Sequence, residues 1–393
     1  MRALSLLVAL CFSPLVLGQP SITVKIAHVA PLTGGIAHLG RDNENGARLA
    51  IEQANAAHIR LNGKQVEFVL VAEDDEADPR TGVRVAQKLV DLGVVGVIGH
   101  LNSGTSIPAS AIYEGARIPM VNPSATNPKL TEMGFQHVFR IQGRDDLQGA
   151  MIASYLNDTR KLKLVALVDD GTAYGESLTN SVESYLRSVG IRTLKRERGT
   201  DKTVDWYSTI SRLKVNAPDA VFFGGMDDTA AHLIKQGKAR GLNAIYAFGD
   251  GACTEQLKEL AGSAAIGAIC VQTGILPKQS PALFRNSYRS RFSSDPILYA
   301  AYTYDATNVL IHAMKEADSA DPARFVRKLQ TMRHEGVTGI IEFDSKGDRK
   351  NADFTIFRID NEGRPEPISV VAAGGKTTTR LSGGDGSRWL KGL

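Results

Sequence analysis

The chain has 393 residues, of which 43% are hydrophobic and 22% charged, with a formal net charge of +4. That length points to two domains, each able to bury a sizeable core. A balance so close to neutral, without a Lys/Arg stripe interleaved with aromatics, argues against a nucleic-acid partner.

The first twenty residues, MRALSLLVALCFSPLVLGQP, carry one Arg, an apolar run from Ala3 to Leu17 and then the small Gly18. This reads as a secretory signal peptide over 1–18, too short to span a membrane as a helix. Cys11 lies mid-run behind Leu10, where a lipoprotein site would need a small residue. The mature protein is thus expected in the periplasm, without a lipid anchor, and loss of Arg2 lowers its formal charge from +4 to +3. No later apolar run reaches the roughly 20 residues a membrane helix needs. Export also bears on Cys253 and Cys270, the cysteines that survive processing: an even count and a short separation favour a disulfide, set against two buried thiols.

From Ile22 onward short β-rich runs alternate with amphipathic stretches. Strands are expected at 22–30, 66–71, 94–98 and 119–121, and helices at 43–57, 79–92 and 106–114. The rhythm restarts with strands at 162–168, 192–198, 220–223 and 245–248 and helices at 174–189, 206–215 and 229–240. Helices at 281–292 and 299–317 follow, then strands at 339–343 and 354–358. Two consecutive runs of this kind predict an α/β protein of two similar lobes, each a parallel sheet flanked by helices. The first crossing between them is expected near 139–143. From Ala372 the composition turns to Gly, Thr and Ser without periodicity, which reads as a disordered tail over 372–393.

Signals for catalysis are thin. There is no G-x-S-x-G, no C-x-x-C, and no pair of the eight histidines at metal-ligand spacing on one helix face. The run EDDEADP at 73–79 lacks the alternating ligands and central Gly of a calcium loop, and reads as a solvated turn before a helix. No metal, cofactor or catalytic residue is therefore assigned. A hydrolase using Ser103 or His100 is the reading from another class, without an orienting partner to support it.

In open parallel sheets ligands settle where strands end and helices begin. Three such ends carry polar residues. In VGVIGHLNSGTSIPAS, Ser103 stands before a helix whose free N–H groups suit a carboxylate. In IPMVNPSATNPKL, the turn Pro123-Ser124-Ala125-Thr126 offers a carbonyl, a hydroxyl and an N–H. In IYAFGDG, Asp250 ends a strand with a carboxylate suited to an ammonium group. Each has a bland counterpart: a helix cap for Ser103 and turn residues for Thr126 and Asp250. Together they match the two charges of an α-amino acid.

These segments, with IAHVAPLTGGIAHLGRDNENGARLAIEQAN, VALVDDGTAYGES and AVFFGGMDDTAAHLIKQGKARGL, resemble the branched-chain amino-acid-binding protein family over about Ile22–Ser369. The resemblance implies a type I periplasmic fold whose lobes (22–141 plus 275–351, and 142–274 plus 352–371) are joined by a three-strand hinge. It implies a monomer that closes over an amino acid, leucine-like by default, and delivers it to an ABC permease with cytoplasmic ATPase subunits. A sensor handing its state to a membrane partner is the alternative. It further implies carboxylate contacts from Ser103 and the Thr126 backbone, and ammonium contacts from the Ser124 carbonyl, the Thr126 hydroxyl and Asp250. Leu39, Leu101, Tyr174 and Tyr299 would form the wall.

Three positions depart from the family pattern: Met226 and Leu39 stand where aromatics are common, and Asp250 replaces a longer glutamate. Ala77 and Asn102 stand where the family has a first-lobe disulfide. Asp227 and Asp228, beside Met226, are read as helix-start residues facing solvent.

Overall fold

The computed structural model describes residues 21–274, 280–371 and 377–380, the last of these as backbone only. The signal-peptide segment therefore lies outside the described residues, as does most of the expected tail.

The first sheet is laid down by β1 (Ser21–Ala30), α1 (Ala37–Ala56), β2 (Arg60–Leu61), β3 (Lys64–Asp74), α2 (Pro79–Asp91), β4 (Gly96–Gly99), α3 (Ser103–Gly115), β5 (Met120–Asn122), α4 (Lys129–Glu132) and β6 (Val138–Arg140). Its order is β2-β3-β1-β4-β5-β6. β1, β3, β4, β5 and β6 run parallel, and β2 pairs antiparallel with β3. β4 is buried along its whole length, as a strand covered on both faces must be. Helix α2 shows how local sequence sets such a unit: Asp78 accepts the Thr81 N–H at 2.8 Å, Pro79 fills the first turn, and Val85, Ala86 and Leu89 turn inward.

The chain then crosses to build a second sheet with α5 (Asp145–Arg160), β7 (Leu164–Asp169), α6 (Ala173–Ser188), β8 (Arg192–Thr193), β9 (Glu197–Arg198), α7 (Tyr207–Val215), β10 (Ala220–Gly224), α8 (Asp227–Ala239), β11 (Ile245–Phe248), α9 (Glu255–Ala261) and β12 (Ile269–Thr273). It returns for α10 (Ala282–Phe292), α11 (Ala300–Glu316), α12 (Pro322–Thr331), β13 (His334–Gly336) and β14 (Gly339–Ile341), and finishes with β15 (Phe354–Ile359), β16 (Pro365–Val371) and β17 (Thr377–Arg380).

Helices α10 to α12 pack on the first lobe. Val24, Ile26, Leu310, Met314, Phe325 and Phe343 share one buried cluster. The second sheet runs β17-β16-β15-β12-β11-β10-β7-β8 among the described residues, with β9 also pairing β7. The fold is therefore α/β with two lobes, and the chain passes between them after Arg140, after Thr273 and before Phe354. Residues 275–279 of the second passage lie outside the described residues.

Three expectations need correction. The second sheet is mixed: β12, β15, β16 and β17 pair antiparallel; β15, β16 and β17 follow one another without crossover helices, and β15 re-enters beside β12 after the chain's excursion through the first lobe. The strand expected over 192–198 is two short pieces, β8 and β9. Within the segment read as a tail, Thr377–Arg380 pairs with β16 as an edge strand. Cys253 and Cys270 are bonded, with Cα atoms 5.4 Å apart. No helix among the described residues is long and apolar enough to cross a membrane.

Candidate functional site

Two first-lobe loops form one wall of the cleft, and Asn122 at the end of β5 joins them. Its amide nitrogen donates to the carbonyls of Gly99 at 3.0 Å and His100 at 2.9 Å, while its oxygen accepts the N–H groups of Ser124 at 3.0 Å and Ala125 at 2.7 Å. The turn bearing Thr126 is thereby locked to the loop bearing Ser103. Ser103, buried in the first turn of α3, accepts the Asn127 N–H at 3.3 Å. The Ser124 hydroxyl turns away from the cleft and donates to the Leu101 carbonyl at 3.0 Å. Beneath the turn, buried Arg140 donates to the Asn127 carbonyl at 2.7 Å and to Asp348 at 2.8 Å, which ties the loop to the chain's last crossing.

From the other lobe, β11 ends at Phe248 and Asp250 opens a single 3-10 turn, Asp250–Ala252, closed by the bonded Cys253. Asp250 is 2% exposed. Its two oxygens accept hydroxyls from Tyr174 at 2.8 Å and Tyr299 at 2.9 Å, and the Gly251 N–H donates to the Tyr174 oxygen at 3.1 Å. A Cβ on Gly251 would fall 2.5 Å from the Met226 sulfur, so glycine is what lets Met226 close in beside the turn. Leu39, Leu101, Tyr174, Met226 and Tyr299 belong to one buried cluster with members from both lobes.

Next to this cluster several buried polar atoms lack a well-formed hydrogen bond: Thr126 Oγ1 and both carboxyl oxygens of Asp145, which face each other, and both amide atoms of Gln148, which faces Asp250. The Asp145 N–H donates to the Thr126 carbonyl at 2.9 Å, which sets the head of α5 against the Thr126 turn. Buried polar groups are ordinarily paired, so such a concentration marks a place built to be completed by something else.

The electrostatics agree. Burial pushes the Asp145 carboxyl up to about 7, the neighbouring charge of Asp250 adding to it and Arg140 opposing it. Burial likewise raises Asp250, against the hydroxyls of Tyr174 and Tyr299 and the facing amide of Gln148. Among the described residues neither of these buried acids has an ion-pair partner, Arg140 acting on Asp145 only from a distance.

The lobes meet at three further points. Asn127 donates to the Ala173 carbonyl at 2.8 Å, His38 Nε2 lies 2.9 Å from Asp227 Oδ2, and Tyr299, carried by the first lobe, reaches Asp250 in the second. The cleft is closed.

The structure thus brings Tyr174, Asp250 and Tyr299 into direct contact, with Leu39, Leu101 and Met226 in the same buried cluster or beside that turn, and it places Ser103, Ser124, Ala125 and Thr126 on the two first-lobe loops that Asn122 joins. Three sequence readings change. Asp227 does not face solvent; it is buried between His38 and the Thr254 hydroxyl, and Asp228 is half-buried. The 73–79 run does turn into α2 with Glu76, Asp78 and Pro79 exposed, but it is also a structural hub, because Asp74 accepts from Leu32, Thr33 and Glu76 and fully buried Asp75 accepts from His100. His100 is held at both ring nitrogens, by Asp75 at 2.8 Å and the Tyr113 hydroxyl at 3.0 Å, which leaves neither to activate Ser103. Asn122, Asp145 and Gln148 were missed, although an Asp before a helix pattern in the crossing segment was a visible signal for Asp145.

Known proteins share this design. A family model described as "Periplasmic binding protein" matches residues 23–364. The leucine-, isoleucine-, valine-, threonine-, and alanine-binding protein of Pseudomonas aeruginosa is 32% identical over 338 residues, covering 85% of this chain and 89% of its own. Leu/Ile/Val-binding protein homolog 2 of Brucella abortus is 34% identical over 361 residues, covering 90% and 95%. Among solved structures, the leucine-binding protein LivK of Thermotoga maritima superposes with a TM-score of 0.81 at 28% identity, covering 88% of this chain and 98% of that one. On the family match, these relatives and the closed two-lobed cleft, the chain belongs to the periplasmic binding protein family.

Proposed function

We propose that this protein captures an amino acid, leucine-like by the precedent of its relatives, in the cleft between its lobes and delivers it to an ABC permease driven by cytoplasmic ATPases. It acts as a periplasmic monomer exported by its N-terminal segment, without a cofactor and without turnover. The observation that carries this reading is the set of buried, poorly paired polar groups of Thr126, Asp145 and Gln148 beside Asp250, at the edge of the apolar cluster of Leu39, Leu101, Tyr174, Met226 and Tyr299.

A zwitterion answers this environment. Its carboxylate meets Ser103 and the Thr126 N–H at the head of α3, where helix donors favour an anion. Its ammonium meets the Ser124 carbonyl, the Thr126 hydroxyl and the acids Asp145 and Asp250, and its side chain lies on the apolar wall. Charge-assisted bonds in a dry cleft bind tightly, and leaving their protein partners bare penalises ligands that lack either charge. The ligand docks on the Ser103/Thr126 side, and the hinge then brings Tyr174, Met226 and Asp250 over it.

The test is a thermal-shift screen of the twenty amino acids, amides and small carboxylic acids on protein stripped of carried-over ligand. A saturating binder raises the melting point by linkage. Leucine, isoleucine or valine giving the largest rise supports the reading. A rise confined to ligands without an α-ammonium group overturns it.

A further inference from the structure

The geometry points to a second device at the rim of the same cleft: we propose that His38 and Asp227 form a proton-dependent latch that holds the lobes together at mildly acidic pH and loosens as pH rises. The proposal rests on the hinge-closure reading above, and not on which amino acid is bound.

His38 sits in the first turn of α1, in the first lobe, and Asp227 opens α8 in the second. Their side chains meet at 2.9 Å, 189 residues apart in sequence. The acceptor is firmly held: Asp227 is fully buried, the same oxygen accepts the Thr254 hydroxyl at 2.7 Å, and Thr254 in turn caps α9 by accepting the Leu257 N–H. The other Asp227 oxygen is buried without a partner, so the imidazole is the cationic group this carboxylate meets among the described residues.

Asp228 adds a second negative charge. Its Oδ2 lies where a Cβ on Gly35 would stand, 2.4 Å away, so the carboxylate sits directly against the loop before α1. Asp201, on the loop between β9 and α7, reinforces the negative field at Asp228. On the first-lobe side, Arg41 is turned to the Leu32 carbonyl and Asp74 is engaged by Leu32 and Thr33.

Burial of the His38 ring opposes its protonation, but the hydrogen bond and charge of Asp227, the charge of Asp228 and the Gly35 carbonyl outweigh that and raise its pKa above the usual histidine value. When the lobes part, Asp227 and Asp228 leave while the Gly35 carbonyl stays with the ring, and the pKa falls. The sign follows by linkage: the closed form binds the proton more tightly. The latch is fully engaged below the open-state pKa and is lost as pH rises through the closed-state one. The closed-to-open ratio falls by a factor of about 10 for each unit by which closure raises that pKa. The buried acids Asp145, Asp228 and Asp250 also favour closure when protonated, so a variant is needed to isolate the histidine.

The experiment places spin labels at Gln87→Cys in the first lobe and Val215→Cys in the second, both exposed, and measures the distance distribution of ligand-free full-length protein between pH 5.5 and 9. The expected result is a closed population that shrinks as pH rises above about 6.5, with the shrinkage reduced in His38→Gln and in Asp227→Asn to the part the buried acids supply. A distribution that does not change across this range overturns the latch, and so does a His38→Gln protein that responds like its parent. Leucine is then added at each pH as a probe. If leucine closes neither protein, the leucine-class reading fails while the ligand-free titration still decides the latch.

Discussion

The Tyr299 hydroxyl, carried by the first lobe, donates to the Asp250 carboxyl of the second at 2.9 Å. Asp250 also takes the Tyr174 hydroxyl, so one short acid anchors a tyrosine from each lobe. Tyr299→Phe is expected to weaken amino-acid binding by about tenfold, the cost of one hydrogen bond to a charged group. Asp250→Ala, which strands both hydroxyls and removes a counter-charge, is expected to weaken it by about a hundredfold or more. Titration calorimetry with the amino acid found by screening checks both. Unchanged affinity in Asp250→Ala would contradict its assignment.

Asp145 gives a prediction of opposite sign for stability and for binding. Burial pushes its carboxyl up to about 7, so the empty protein favours the protonated form. That contribution to stability is fully present below the unfolded-state value and is lost as pH rises through about 7. Asp145→Asn should therefore raise the melting temperature of the ligand-free protein at pH 8, where the parent carries an uncompensated buried charge. The same substitution should weaken binding at pH 8. It should also abolish the loss of affinity that the parent shows as pH drops below about 7, where a ligand cation must displace the proton. Melting curves and calorimetry at pH 6 and 8 separate these effects.

Asp42 on α1 holds the head of α11. Its carboxyl group accepts the N–H groups of Ile297, Leu298, Tyr299 and Ala300 at 2.8–3.0 Å, and the Tyr288 hydroxyl at 3.1 Å. Asp42→Ala leaves those donors buried and unpaired, and is expected to cost about 3–5 kcal/mol of stability. Because Tyr299 stands in that turn, affinity should fall as well. Chemical denaturation and calorimetry on the same preparation would show the two losses together.

The Cys253–Cys270 bond closes a loop with a sequence separation of 17 directly behind the turn that presents Asp250. Serine at both positions is expected to cost about 3 kcal/mol through the unfolded chain's regained freedom. It should also weaken binding, by loosening the turn. Melting temperatures of the parent and the double variant, each with and without reductant, give the check; only the parent should respond to reductant.

The alternation of strand and helix was legible because it is local. Ser103, Thr126 and Asp250 were legible because each follows a recognisable strand by a few residues. What escaped was set by distant chain. Asn122 looks like an ordinary turn residue, yet it binds two loops to each other. Asp227 and Asp228 look like solvated helix starters until α1 from the other lobe covers them. Asp75 looks solvated until His100 arrives 25 residues later. The antiparallel β15–β17 edge escaped for a related reason: short apolar runs show periodicity but not the direction of their partners.

The order of elements along the chain bears on how the molecule is made. Helix α11 packs against α1, β4 and β5, yet the whole second sheet through β12 lies between them in sequence. A nascent chain released before α11 would have the first lobe's sheet covered on that face by α1 alone, however completely its strands had paired. Contacts of such long sequence separation fold slowly and late. The N-terminal lobe, first to be synthesised, would be among the last parts of the protein to become stable, and truncations within α11 should yield aggregation-prone material rather than a smaller working unit.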